Sequence, residues 1–288
     1  MRVGRFRVRR GDWTALKGLR PDDKGSFESK EEALEHLNKG IERLRARQEL
    51  LYAQNEHALL LIFQGMDASG KDSAIKHVMT GINPQGTEVH SFKAPSTEEL
   101  SHDYLWRAVK ALPGRGRIGI FNRSYYEEVL VVRVHPELLA SERLPASAVT
   151  PRVWRERFED ISAFERYLWR NGTIIRKFFL YVSQSEQRKR LLERLDDPAK
   201  NWKFSAADLE ERAKWPAYMS AYREALAATS RDNAPWYVIP ADHKWFAHVA
   251  IADIIVNALD DADLALPKLT SKQRQELLQA RRQLLRGR

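Results

Sequence analysis

Residues 65–72 read Gly-Met-Asp-Ala-Ser-Gly-Lys-Asp, directly after the apolar run 59–64 (LLLIFQ) and directly before a stretch of helical character at 72–79. Gly65, Ala68, Ser69 and Gly70 are small enough to let a backbone curl so that its N–H groups converge, and a helix starting there adds positive potential. Lys71 then reaches a transferring phosphate, so the chemistry this spacing suits is phosphate binding and transfer. The eighth position holds Asp72 where a Ser or Thr hydroxyl ordinarily binds Mg²⁺, and Ser73 comes one residue too late. Asp67 offers a substitute oxygen inside the loop, because Mg²⁺ favours one or two carboxylates plus substrate phosphates. Asp67 and Asp72 are therefore the candidate metal ligands here.

A second group, Phe121-Asn122-Arg123-Ser124-Tyr125-Tyr126-Glu127-Glu128, closes the run 117–122 (RIGIFN). Open α/β sheets place ligands at the carboxyl ends of their strands, so Asn122 and Arg123 should face the loop. Asn122 brings no charge where kinases of this kind usually carry an acid, which leaves Glu127 or Glu128 to supply the carboxylate. A third group is Arg188-Lys189-Arg190 with Arg194, followed by Lys200 and Lys203. Arg190 and Arg194 are four apart, so on a helix both guanidinium forks share a face and can grip phosphates bidentately. A solvated face paired with Glu186 and Glu193 is the plainer alternative.

The elements that must position these groups alternate. Strand-like runs at 59–64, 88–92, 117–122, 174–182 and 236–240 are separated by helical segments, which predicts an α/β fold: a five-stranded parallel sheet flanked by helices, of the P-loop kinase type. Ser29 with Glu32, Ser96 with Glu99 and Ser183 with Glu186 fit capping boxes, and Pro151 suits a first helical position. The polar segment 196–222, rich in Trp and Lys, sits where a nucleotide kinase carries a mobile helical lid. The expected division is a basic and helical N-terminal extension at 1–58, the core at 59–262 and a basic tail at 263–288. Residues 114–119 match GxGxxG but precede a strand, and so read as a turn.

The chain of 288 residues is 43% hydrophobic, enough for a sizeable core, and has no cysteine, which excludes thiol catalysis and disulfides. Its formal net charge of +9 is concentrated at the ends: residues 1–24 carry eight Lys/Arg against three acids, and residues 268–288 seven against one. Solvated tails, nucleic acid, membrane lipid and a long inorganic polyanion are all compatible with such ends. No apolar run of signal or membrane-span length occurs, so the expected location is the cytoplasm and no membrane partner is expected. His243 and His248 lack metal-binding spacing.

The segments GMDASGKDSAIKHV, NPQGTEVHSFKAPSTEEL, DYLWR, IFNRSYYEEVLVVRVHP, EQRKRLLERLDDPAKNWKF and APWYVIPAD together resemble the second polyphosphate kinase family (polyphosphate kinase 2), the polyphosphate:nucleotide phosphotransferases, over about residues 25–258. The resemblance implies a thymidylate-kinase-like core with a lid, Mg²⁺ as cofactor, a basic channel for inorganic polyphosphate, ADP, AMP and ATP as nucleotides, and a homodimer or homotetramer. Asp67 and Lys71 match its essential loop residues, Asn122 and Arg123 its second motif, and Arg190 and Arg194 its lid-side arginines. Gly65, Ala68, Ser69, Gly70, Asp72 and Ser73 fall in its loop, and Lys76, Lys200 and Lys203 fit its channel. Asn122 resembles the subgroup that uses both AMP and ADP. An ATP-dependent nucleoside monophosphate kinase of the thymidylate kinase type shares loop, lid and Mg²⁺, and is the alternative; a nucleic-acid-binding role for the basic ends is the rival from another class.

Overall fold

The computed structural model describes residues 1–287. Five short runs become strands: β1 (Ala58–Gln64), β2 (Thr87–Ser91), β3 (Ile118–Asn122), β4 (Thr173–Tyr181) and β5 (Trp236–Pro240). They pair in the order β2-β3-β1-β4-β5, all parallel. β1 is buried at every position, as an unbroken apolar run must be when helices cover both faces of its sheet. The connections from β1 and β4 leave in opposite directions, which opens a crevice at the carboxyl ends of these neighbours.

The helices are α1 (Lys30–Gln54), α2 (Lys71–Val78), α3 (Trp106–Lys110), α4 (Glu127–Val134), α5 (Val153–Arg170), α6 (Gln184–Asp196), α7 (Ala207–Ala213), α8 (Trp215–Thr229), α9 (Lys244–Asp260) and α10 (Ser271–Leu285). On one face of the sheet, Leu37, Leu44 and Leu51 of α1 pack with Phe63, Phe178 and the apolar length of α9. On the other, Tyr125, Phe158, Ile161 and Tyr222 pack around Phe121, Phe179 and Trp236. Among the described residues no helix is long and apolar enough to cross a membrane.

The expected strands and parallel sheet are present, and the differences lie at boundaries. Residues 1–58, read as a basic and helical extension, pack against the core: Phe6 and Phe27 are buried with Phe246, and Val8 N donates to Trp236 O at 2.9 Å. The expected lid runs too far. From Trp215 onward the chain is α8, whose Tyr218, Ala221 and Tyr222 are buried, because apolar residues recur there at helical spacing. Ser29 and Ser183 cap α1 and α6, whereas the reciprocal Ser96–Glu99 pair heads a 3₁₀ turn. Pro151 precedes α5, since Thr150 Oγ1 accepts from Arg152 N at 3.2 Å and delays the helix to Val153. The basic tail contains a helix, α10, capped by Thr270 and Gln273.

Candidate active site

β1 ends at Gln64, and the chain turns tightly into α2. A Cβ at Gly65 would stand 2.7 Å from Ser69 Oγ and 2.9 Å from Leu180 O, so the close approach of the loop to β4 requires glycine. Gly70 has φ +104° and Ala68 φ +59°; the alanine stores about 1–3 kcal/mol of strain that its surroundings must hold. The N–H groups of the first turn of α2 face the crevice without intrahelical partners. Lys71 Nζ folds back to donate to Gly65 O at 2.7 Å and Met66 O at 3.3 Å. Burial holds this ammonium below the usual lysine range, with Asp67 acting against it. An incoming phosphate would supply the counter-charge that burial makes valuable.

Pairing of Phe63 with Asn122 in the β1–β3 register brings the second group to the loop. Arg123, at φ +64°, donates its backbone N–H to Phe63 O at 3.0 Å. Its Nη2 donates to Asp67 Oδ1 at 3.0 Å, and its Nη1 lies 3.6 Å from Glu127 Oε2. Asn122 Nδ2 donates to Asp72 Oδ1 at 2.6 Å. Glu127 is pushed up by burial, against the pull of Arg123 and Lys71.

Two cavities meet here. The first, of about 590 Å³, is bordered by Asp67 to Ser73, Asn122, Arg123, Arg190, Arg194, Lys200 and Lys203, together with Lys93, Lys244 and Glu193. Its eight Lys/Arg against three acids make it a site for a multiply charged anion. The second, of about 520 Å³, shares Lys93, Ala94 and Arg123 with it and is walled by Pro95, Leu100, Tyr104, Val131, Val132 and Leu138. Glu127, Glu128 and Glu142 lie on its polar side. Burial, with Glu142 alongside, pushes Glu128 up to about 7, while Arg157 and Arg107 oppose the shift; Arg157 also pairs with Glu142.

The structure brings most of the expected residues together, in unequal roles. Arg190, 4% exposed, has every N–H donor engaged by the protein: Nε to Glu186, Nη1 to Ala68 O and Ser69 O at 3.0 Å each, Nη2 to Ala241 O at 2.6 Å and Asp242 O at 2.9 Å. Its guanidinium is thus spent on the loop and on the end of β5. Arg194 donates to Asp208 Oδ2 of α7 at 3.1 Å, tying α6 to the lid segment. Lys200 pairs with Asp197 at 2.8 Å, and Lys203 Nζ lies 5.0 Å over the Trp202 ring. Ser73 borders the cavity, its Oγ 3.3 Å from His248 Nε2. Lys76 is exposed on α2 and does not border the cavity. Glu127 borders the second cavity and not the first.

Residues outside the sequence reading also build the site. Gln187 Nε2 donates to Asp67 O at 3.0 Å, and its Oε1 accepts from Arg212 at 2.7 Å; it lies three residues before Arg190 on the same helical face, which is the signal that marks it. Lys244 opens α9 at the carboxyl end of β5, where a cation meets the crevice. Beneath the second group, Lys177 is fully buried in β4 and donates to Glu165 at 2.6 Å, Tyr126 OH at 2.8 Å and Thr229 O at 2.9 Å. Its signal is a lysine, beside Arg176, within an otherwise apolar strand.

The family profile described as polyphosphate kinase 2 matches residues 27–267. The chain belongs to the polyphosphate kinase 2 family. It is 50% identical over 287 residues to the ADP-polyphosphate phosphotransferase of Rhodopseudomonas palustris, covering 99% of each chain. It is 44% identical over 265 residues to the AMP/ADP-polyphosphate phosphotransferase of Meiothermus ruber, covering 92% of this chain and 95% of the relative. The solved structure of polyphosphate kinase 2 from Arthrobacter aurescens superimposes with a TM-score of 0.84 at 39% identity, over 95% of both chains. Membership of the polyphosphate kinase 2 family makes the protein a kinase, with the P-loop kinase fold described above.

Proposed function

We propose that the protein transfers phosphate reversibly between inorganic polyphosphate and adenine nucleotides, accepting ADP and AMP, with Mg²⁺. The observation that carries this reading is the pair of adjoining cavities, one cationic and one largely apolar, which share Arg123 beside the phosphate loop. The first suits the polyphosphate end and the second a nucleoside, so the acceptor's phosphate and the donor's terminal phosphorus meet at Arg123 and Lys71. An ATP-dependent monophosphate kinase needs donor contacts for a single triphosphate; seven cations besides Arg190 around the cavity suit a longer polyanion better.

Transfer is direct and in-line. An oxygen of the nucleotide phosphate attacks the terminal phosphorus, the bond to the bridging oxygen breaks, and the shortened polyphosphate keeps that electron pair. Lys71, Arg123 and the loop N–H groups stabilise charge on the equatorial oxygens, so positioning and electrostatics supply the acceleration and no protein nucleophile is used. Arg190 acts one step back, holding Ala68 and Ser69 so that the loop keeps its curl. Asp67 and Asp72 border the same cavity, and each keeps its second carboxylate oxygen free of protein partners among the described residues. Mg²⁺ is commonly held by one or two carboxylates, which these two side chains could supply, plus substrate phosphates. When bound there, Mg²⁺ would offset charge on the phosphates; Glu127, across Arg123, is left out of this set.

Asn122 keeps Asp72 hydrogen-bonded without adding a charge; use of AMP as well as ADP is supported by the name of the Meiothermus ruber relative, which carries both nucleotides. The reading places the enzyme in the cytoplasm with its nucleotides, as a homodimer or homotetramer, which light scattering checks. Steady-state kinetics test the two-cavity assignment: Lys203→Gln should raise KM for polyphosphate several-fold and leave KM for ADP nearly unchanged, and Leu138→Arg should do the reverse. If both variants act on the same substrate, the assignment is wrong.

A further inference from the structure

The two basic ends of the chain differ once folded. At the N-terminus Arg5 pairs with Asp23 at 3.2 Å, Arg7 with Asp232 at 2.6 Å and Arg20 with Asp22 at 2.7 Å, and although Arg2, Arg9, Arg10, Lys17 and Lys24 have no acidic partner among the described residues, buried Phe6 and Val8 hold the segment against the core. In α10 and at its C-cap, Arg274, Arg281, Arg282 and Arg286 have no acidic partner among the described residues, and Lys272 lies a distant 3.9 Å from Glu276. Every residue of this helix is exposed.

At about 100° per residue, Arg274 and Arg281 project from one side and Arg282 and Arg286 from another. All four lie within an arc of about 140°, which a flexible polyanion can follow along the helix. Lys244, at the start of α9, borders the first cavity. The link to α10 leaves from the far end of that 17-residue helix, about 25 Å away, and α10 forms no part of the cavity wall.

We propose that α10 is a second binding site for inorganic polyphosphate, a tether that holds the distal part of a long chain while its end is in the cavity. This rests on polyphosphate being the phosphate donor. A chain short enough to be contained in the cavity does not touch α10. A long one does, and binding at one site then raises the effective concentration at the other.

The test replaces Arg274, Arg281, Arg282 and Arg286 together by Gln in the full-length protein, which removes the charge and keeps Leu277, Leu278, Leu284 and Leu285. The expected result at low salt is a KM for long-chain polyphosphate raised on the order of tenfold, shrinking as salt is added, with kcat, KM for ADP and KM for tripolyphosphate unchanged. Equal KM values for the long chain in variant and wild type overturn the tether, as does an equal rise for tripolyphosphate. Loss of oligomer mass with slower turnover on both donors overturns it too, making α10 a contact between copies. Salt-sensitive binding of duplex DNA that the variant loses, with polyphosphate kinetics untouched, assigns the helix to nucleic acid instead. A wild type that uses neither donor refutes the donor reading itself, and the tether with it.

Discussion

Arg190→Ala should cost stability first and catalysis through it. The substitution strips donors from Ala68 O, Ser69 O, Ala241 O and Asp242 O and leaves Glu186 without its cation. The bonds to Ser69 O and Ala241 O are buried, and each orphaned carbonyl costs about 1–3 kcal/mol. The other acceptors are partly wetted by the cavity and lose less. The total is about 3–5 kcal/mol, the range for removing one side of a buried charged contact. At about 2–4 °C per kcal/mol for a chain of this size, Tm should fall by roughly 10 °C. Differential scanning fluorimetry gives this directly, and initial rates well below the lowered Tm give the catalytic part. Arg190→Lys should recover little of either, because an ammonium cannot span four carbonyls, whereas a residue gripping phosphate by charge alone would be largely rescued by lysine. A variant melting within about 2 °C of wild type, with turnover as low as that of Lys71→Ala, would refute the positioning role.

Lys177→Met should destabilise by about 3–5 kcal/mol by leaving Glu165 buried without its cation, and adding Glu165→Leu should restore much of that loss; chemical unfolding of the single and double variants checks it. Burial, with His77 alongside, holds His248 down to about 4. Unfolded, the ring takes up a proton near pH 6.5, so stability falls as pH drops from 6.5 toward 4, by about 2–3 kcal/mol in all. His248→Gln should flatten that part of the stability–pH curve measured by urea unfolding. Asn122→Asp puts a second carboxylate where an amide now donates to Asp72 at 2.6 Å, so half-saturation by Mg²⁺ should move to lower concentration in a metal titration of activity.

The sheet was legible because four of its strands are short, largely apolar runs that end in glycine, polar or proline signals, β2 (TEVHS) being the polar exception, and the loop because its spacing is tied to backbone geometry. Strand order was not: the excursion from β1 out to β2 and the return through β3 to β4 depend on which helices cover which face. The same holds for residues 1–29, where Phe6, Val8 and Phe27 have no periodicity and are buried only because β5 and α9 offer a groove. Charge marked Arg190 and Arg194 as phosphate contacts, yet charge cannot say whether a guanidinium points at a ligand or at carbonyls. The second cavity was invisible because its walls come from residues 93–107 and 123–144, whose apolar members read as ordinary core until the fold leaves space between them.

Purified protein given Mg²⁺, long-chain polyphosphate and ADP, with no other nucleotide, measures the central claim most directly, with Lys71→Ala as the paired sample. ATP should appear with wild type and fall by about 10²–10³ in the variant, the loss typical of one transition-state contact. No ATP from wild type, or near-normal ATP from Lys71→Ala, would contradict transfer at this loop.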